Sequence, residues 1–174
     1  MPQSLHIAII GGGAAGFFAA IEAKRNFPHA DITIFEKNSK VLAKVEITGG
    51  GRCNLTNSFE EISDLKQAYP RGHKLMKRLF KRFDYQHAFD WFEENGVPLV
   101  TQEDQCVFPQ SQDSHSIIDC LVNTAKRLGV KIQCNHQLTA ITELEDERLL
   151  LDFKTSSEIR QIAFHRVAIT TGGH

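Results

Sequence analysis

Over its first 37 residues the chain alternates apolar and polar blocks in an order that predicts strand, turn, helix and strand. Leu5 to Ile10 (LHIAII) is a short apolar run, Gly11 to Gly16 (GGGAAG) a glycine-rich turn, and Phe17 to Arg25 an alanine-rich helix. Asn26, Phe27 and Pro28 end that helix, because proline disfavours helical backbone at the residue before it. Asp31 to Glu36 reads as a second strand, with Ile32 and Ile34 alternating with Thr33 and Phe35. His6 falls inside the first apolar run, which predicts a buried structural histidine.

Residues 37–57 show little helical or strand period and contain three consecutive glycines, Gly49 to Gly51. Residues 58–70 are polar and predict a loop with a short helix. Lys74 to Phe83 (KLMKRLFKRF) places Leu75, Met76, Leu79, Phe80 and Phe83 on one helical face and Lys74, Lys77, Arg78, Lys81 and Arg82 on the other. Asp84 suits the cap of a further helix, in which Tyr85, Ala88, Phe89 and Phe92 share a core face and Trp91 falls off it, with Gly96 as its stop. Pro98 to Phe108 reads as two short strands about Glu103 and Asp104.

Ser114 or Ser116 caps the next helix, whose apolar face is Ile117, Ile118, Leu121, Val122, Ala125 and Leu128, and Gly129 ends it. Val130 to Cys134 then reads as a strand parallel to the first two. Leu138 to Thr142, Leu149 to Phe153 and Ile159 to Phe164 form an antiparallel meander, and Val167 to Thr171 leads back to glycines. The expected fold class is α/β. It is a Rossmann-like fold over 1–174, with a parallel sheet, helices, a three-stranded antiparallel crossover meander, and a helical and hairpin excursion at about 58–110.

The chemistry concentrates at the first turn. Gly11, Gly13 and Gly16 stand at G-x-G-x-x-G spacing between a strand and a helix. In a dinucleotide-binding unit the first glycine allows the tight turn, the second admits a pyrophosphate, and the third lets helix and strand pack closely. The helix N-terminus adds free N–H groups and partial positive charge. Glu36 closes the second strand, where a carboxylate accepts hydrogen bonds from ribose hydroxyls. A second glycine run, Gly49 to Gly51, precedes Arg52, whose guanidinium can fork onto phosphate oxygens, with Lys44 as a further charge. The plain alternative for that stretch is a flexible surface loop. Cys53 is either a redox-active thiol whose pKa Arg52 lowers, or a small residue that packs.

Composition narrows this little. A formal net charge of −1 argues against nucleic acid or membrane as a partner, and leaves a small-molecule substrate as the expectation. The basic stretch at 74–83 then reads as a solvated helix face. The four cysteines form no C-x-x-C pair and no metal spacing with histidine, and the N-terminus shows no signal-peptide pattern, so the expectation is a cytoplasmic protein with reduced thiols. The end at ITTGGH, where a strand should deliver a ligand loop, suggests the N-terminal portion of a longer protein and an incomplete domain.

The strings IIGGGAAG, FEK and especially ITGGGRCNLTN, together with FPQS (Phe108 to Ser111) and VAITTGG (Val167 to Gly173), resemble the BaiN-like bacterial flavoproteins, also described as NAD(P)/FAD-dependent or aminoacetone-oxidase-family enzymes. The resemblance spans essentially the whole chain. It implies an FAD enzyme of the two-dinucleotide-binding type, reduced by NAD(P)H. By that resemblance Gly11, Gly13, Ala14, Ala15 and Gly16 hold the FAD pyrophosphate, Glu36 holds the adenosine ribose, and Lys37 flanks it. Lys44, Arg52, Cys53 and Asn54 lie along the flavin half, Leu138 offers its backbone to the adenine, and Thr171, Gly172 and Gly173 return to the cofactor. Leu42 stands where the family usually has glycine, and Glu46 where an apolar residue is common.

Three readings follow: a flavin-dependent oxidoreductase or its FAD-binding part, an NAD(P)-dependent dehydrogenase without flavin, and a non-catalytic dinucleotide-binding module. No residue reads as a general acid or base over a substrate.

Overall fold

A computed structural model describes residues 4–172. In chain order the elements are β1 (His6–Ile10), α1 (Ala14–Asn26), β2 (Asp31–Phe35), α2 (Ala43–Ile47), β3 (Thr56–Asn57), α3 (Leu65–Ala68), α4 (His73–Phe80), α5 (Tyr85–Glu94), β4 (Leu99–Thr101), β5 (Cys106–Pro109), α6 (His115–Arg127), β6 (Lys131–Gln133), β7 (Gln137–Glu143), β8 (Leu149–Lys154), β9 (Ile159–Phe164) and β10 (Arg166–Ile169). The stretch expected to lack regular structure, 37–57, contains α2, a 3-10 turn at Thr48–Gly51 and β3. The chain groups into two compact units, Val45–Cys120 and the residues before and after it.

The first unit is built on a four-stranded parallel sheet in the order β10-β1-β2-β6. Both faces of β1 and β2 are covered, which is why their sequences are nearly continuous apolar runs. Helix α1 packs on β1 and β2, burying Gly16, Phe17, Ala20 and Ile21. Alternation along β1 sends Ala8 and Ile10 to the other side. There they join Phe35 and three residues of the β7-β8-β9 meander, Leu151, Phe153 and Phe164. The Phe35 ring stacks on Phe153 at 4.2 Å and meets Phe164 edge-on at 5.7 Å.

His6 departs from expectation. It lies at the exposed rim of β1, where its N–H donates to His165 Nδ1 at 3.0 Å and its Nε2 sits 3.6 Å from Asp31 Oδ2. Burial begins one residue later, at Ile7, because His6 is the first residue of the strand.

The second unit holds a three-stranded antiparallel sheet, β3-β5-β4, with α3, α4 and α5. Asp84 caps α5 as expected, its carboxylate accepting from the His87 N–H at 3.1 Å; hydrogen bonds from His87 hold that carboxyl below its ordinary pKa. Trp91 is buried beside Phe92, although the periodicity put it off the core face. Helix α4 ends at Phe80, earlier than expected, and three of the five apolar positions expected on its face are not core: Leu75, Leu79 and, beyond the helix, Phe83 are 51%, 48% and 40% exposed. The rings of Phe59, Tyr69, Phe80 and Tyr85 pack on one another instead.

Phe153 is fully buried at the centre of the meander cluster. Its replacement by alanine should cost about 3–5 kcal/mol of unfolding free energy in a urea titration.

Candidate functional site

The carboxyl end of β1 is where the strand order reverses, with β2 on one side and β10 on the other. Ligands in open α/β sheets sit at such a switch point. The ladder is drawn tight there. Gly11 N–H donates to Phe35 O at 2.8 Å and Thr170 N–H to Ile10 O at 2.8 Å. The Thr170 hydroxyl donates to Ile10 O at 3.0 Å, with Gly11 O at 3.2 Å.

The three motif glycines have distinct reasons to be glycine. Gly11 has φ +115°, and a Cβ there would lie 2.6 Å from Thr170 O. At Gly16 a Cβ would fall 1.9 Å from Gly11 O, so the helix rests directly on the turn. Gly13 is the N-cap of α1, and nothing lies within 4 Å of where its Cβ would be. The first backbone bond at this end is Phe17 N–H to Gly13 O, which leaves the N–H groups of Ala14, Ala15 and Gly16 outside the helical ladder. Ala14 and Ala15 are exposed, and the first turn contains no acidic residue to compete for those donors.

Glu36 is half-buried, and its carboxylate is held from both sides. One oxygen accepts from Gly12 N–H at 2.9 Å, and the other from Asn38 N–H and Nδ2, each at 2.9 Å. An ionised carboxylate offers about four acceptor positions, so these three donors leave one open. Gly12 is itself constrained, since a Cβ there would lie 2.8 Å from Val41 Cγ1 and 3.0 Å from Glu36 Cβ. Leu42 N–H donates to Gly12 O at 2.7 Å, with Leu42 buried at φ +57°. Asn135 N–H to Asn38 O and His136 N–H to Glu36 O then tie the start of β7 to the same turn. Burial, with the Glu36 carboxylate as a smaller contribution, raises the pKa of the nearby Cys134 thiol.

The structure therefore brings Gly11, Gly13, Ala14, Ala15, Gly16, Glu36 and Lys37 together beyond the ends of β1 and β2, with Lys37 exposed. Leu138 lies in β7 opposite Phe153, next to a bulge, and packs partly against the meander core. Thr171 and Gly172 are exposed after β10, Gly172 at φ +75°, and Gly173 lies outside the described residues. Sequence reasoning passed over Thr170, whose hydroxyl and backbone make the bonds to the turn; a threonine directly before the return glycines was the available signal. Gly12, Asn38 and Leu42 were also missed. Lys44 is exposed in α2, at the end of the first unit.

In the second unit the glycine run is strapped rather than loose. Gly49, Gly50 and Gly51 have φ of 58°, 69° and 86°, and a Cβ at Gly49 would lie 2.6 Å from Asn54 N. Buried Ser114 donates its N–H to Gly51 O at 2.9 Å and its hydroxyl to Glu46 O at 3.0 Å. Arg52 folds back on its own loop. Its Nε donates to Gly49 O and a terminal nitrogen to Gln112 Oε1, both at 3.3 Å, and its guanidinium carbon lies 4.4 Å from the Phe108 ring centroid. Asn54 is exposed. Cys53 is buried at φ +60°, and burial pushes its thiol pKa up to about 11. Burial of Cys53 is what its packing alternative expects, and no lowering by Arg52 is seen.

The family model for the HI0933-like protein Rossmann domain matches residues 5–174. The chain belongs to this family. It is 31% identical over 135 residues to a 3-dehydro-bile acid delta(4,6)-reductase of Clostridium scindens, covering 78% of this chain and 32% of that protein. It is 24% identical to a ribosomal RNA dihydrouridine synthase of Haemophilus influenzae, covering 99% of this chain and 41% of that protein. The chain thus spans less than half the length of these relatives. Among solved structures, the 3-ketosteroid-delta4-(5alpha)-dehydrogenase of Rhodococcus jostii shares the fold at a TM-score of 0.71 and 17% identity, over 99% of this chain and 47% of that one. Among the described residues no helix is long and apolar enough to cross a membrane.

Two measurements probe this geometry. Gly16→Ala should destabilise the chain by about 3 kcal/mol or more, while Gly13→Ala should stay within about 1 kcal/mol in the same denaturant titration. For Cys53, the folded state holds its proton more tightly than the unfolded chain, so stability must fall as pH rises from 9 towards about 11. That fall should be smaller in Cys53→Ala, read as the difference between the two pH–stability curves.

Proposed function

We propose that this chain is the FAD-binding part of a flavin-dependent oxidoreductase that draws reducing equivalents from NAD(P)H. The observation that carries the reading is the clear space at Gly13 in front of the N-terminus of α1, flanked by Gly11 and Gly16, which no side chain can replace. A pyrophosphate fits that space by charge and by donors: the N–H groups of Ala14, Ala15 and Gly16 point out of the helix, and the macrodipole favours an anion. Glu36 keeps an acceptor position for a ribose hydroxyl and disfavours a 2′-phosphate there, because like charges would face each other. The N–H and carbonyl groups of Leu138 would serve the adenine, and Thr171, Gly172 and Gly173 would return to the cofactor. The β7-β8-β9 meander supports FAD over a simple NAD site, since it returns the chain as β10 on the second side of β1. Bound flavin supplies the hydride chemistry, and the protein supplies binding and orientation.

The names of the bile-acid reductase and the dihydrouridine synthase describe addition of a hydrogen pair to an unsaturated bond. A small-molecule acceptor matches the bile-acid reductase. A uridine in RNA is a second reading, favoured by the Haemophilus influenzae dihydrouridine synthase, whose alignment covers 99% of this chain at 24% identity, and by the cation-rich segment at 65–83.

Purified protein should be yellow and release FAD on heating. Gly13→Asp, which aims a carboxylate at the pyrophosphate position, should abolish FAD uptake while leaving the melting curve within a few degrees of wild type. A colourless chain that takes up NAD but not added FAD would establish the flavin-free dehydrogenase instead. Flavin binding without bleaching by NADH or NADPH would reduce the chain to a binding module.

A further inference from the structure

The net charge of −1 conceals a segregation. Residues 65–83 contain seven cations, Lys66, Arg71, Lys74, Lys77, Arg78, Lys81 and Arg82, and no acid. The rest of the chain then has 13 Lys and Arg against all 21 Asp and Glu, a balance of −8. All seven cations are exposed, and among the described residues none has an ion-pair partner. Lys74, Lys77, Arg78 and Lys81 stand at i, i+3, i+4 and i+7, which puts them on one face along about 10 Å of helix axis. Met76 and Phe80 occupy the half-buried face of the same helix.

We propose that this face of the second unit binds the phosphate backbone of RNA. The proposal deepens, and rests on, the RNA reading of the substrate. Seven exposed cations without ion-pair partners, bounded in sequence by Glu60, Glu61, Asp64 and Asp84, make a cationic stretch on a chain otherwise acidic, which suits a polyanion better than a neutral small molecule. A lipid surface is the poorer occupant. An interfacial helix needs a free apolar face, whereas α4 has eight residues and its Leu75, Leu79 and Phe83 are already about half covered. Tyr69 and Phe80 are packed on each other and on Phe59, and Phe83, 40% exposed, lies against His87, so cations outnumber free rings on this face. The contact is therefore electrostatic and indifferent to sequence, and positions the RNA without reading it.

The test measures binding of a short fluorescein-labelled RNA hairpin to the full chain by anisotropy, across about 50–200 mM salt. Wild type should bind with a steep salt dependence. The stripe variant K74Q/K77Q/R78Q/K81Q should bind at least about tenfold more weakly, with the log–log salt slope shallower by about 3. A control removing equal charge elsewhere, K126Q/R127Q/K131Q/K154Q, should keep most of the affinity, and K74R/K77R/K81R should bind like wild type, showing that charge rather than folding is responsible. Absence of RNA binding, equal loss in both glutamine variants, or tighter stripe-dependent binding to phosphatidylglycerol vesicles than to RNA would each overturn the proposal. Binding without dihydrouridine formation by flavin-loaded protein would instead count against the substrate reading and leave the surface standing.

Discussion

The carbonyl oxygen of Gly11 occupies the space that any side chain at position 16 would need, and that close approach governs the first unit. It seats α1 directly on the end of β1, so the helix starts where the strand stops. Thr170 closes the same point from the other side, bonding Ile10 through its N–H and its hydroxyl. With strand, helix and return strand converging within a few residues, the donors of the first helical turn are aimed outward and Gly13 keeps the space before them clear. Free backbone donors facing open space thus arise from packing that contains no charge.

Glu36 and Leu42 extend that constraint into the loop after β2. The carboxylate holds Gly12 N–H, and Gly12 O holds Leu42 N–H, so the loop is threaded through the glycine turn. Leu42 does this in the left-handed region, at φ +57°, a conformation costing a non-glycine residue about 1–2 kcal/mol. Its side chain is only 2% exposed, and burial of a leucine contributes about 1.5–3 kcal/mol, enough to offset that cost. At Leu42 the strain of the backbone is thereby offset by burial of the side chain.

In the second unit charge is unevenly placed along the chain. A net charge near zero sums two opposite balances that lie in different stretches of the sequence. What a partner meets is local potential, screened beyond about 8–10 Å, and the cations of α4 follow one another along a single short helix.

What the sequence determined by itself is whatever depends on local order along the chain. The G-x-G-x-x-G spacing, the acid closing β2, the cap at Asp84, the stops at Gly96 and Gly129 and the three-strand meander all follow from near neighbours, whose steric and hydrogen-bonding demands are written in a few consecutive residues. The tertiary structure decided everything that depends on what arrives from elsewhere. It put His6 at a rim and Trp91 in a core, and left Leu75 and Leu79 half exposed on a helix whose periodicity marked them as interior. It made Thr170, 160 residues from Ile10, the clasp of the glycine turn. It strapped the second glycine run through Ser114 and buried the Cys53 thiol, whose pKa rises with that burial. Burial and long-range hydrogen bonds are properties of chain crossings, and no pattern of neighbours records which segments will cross.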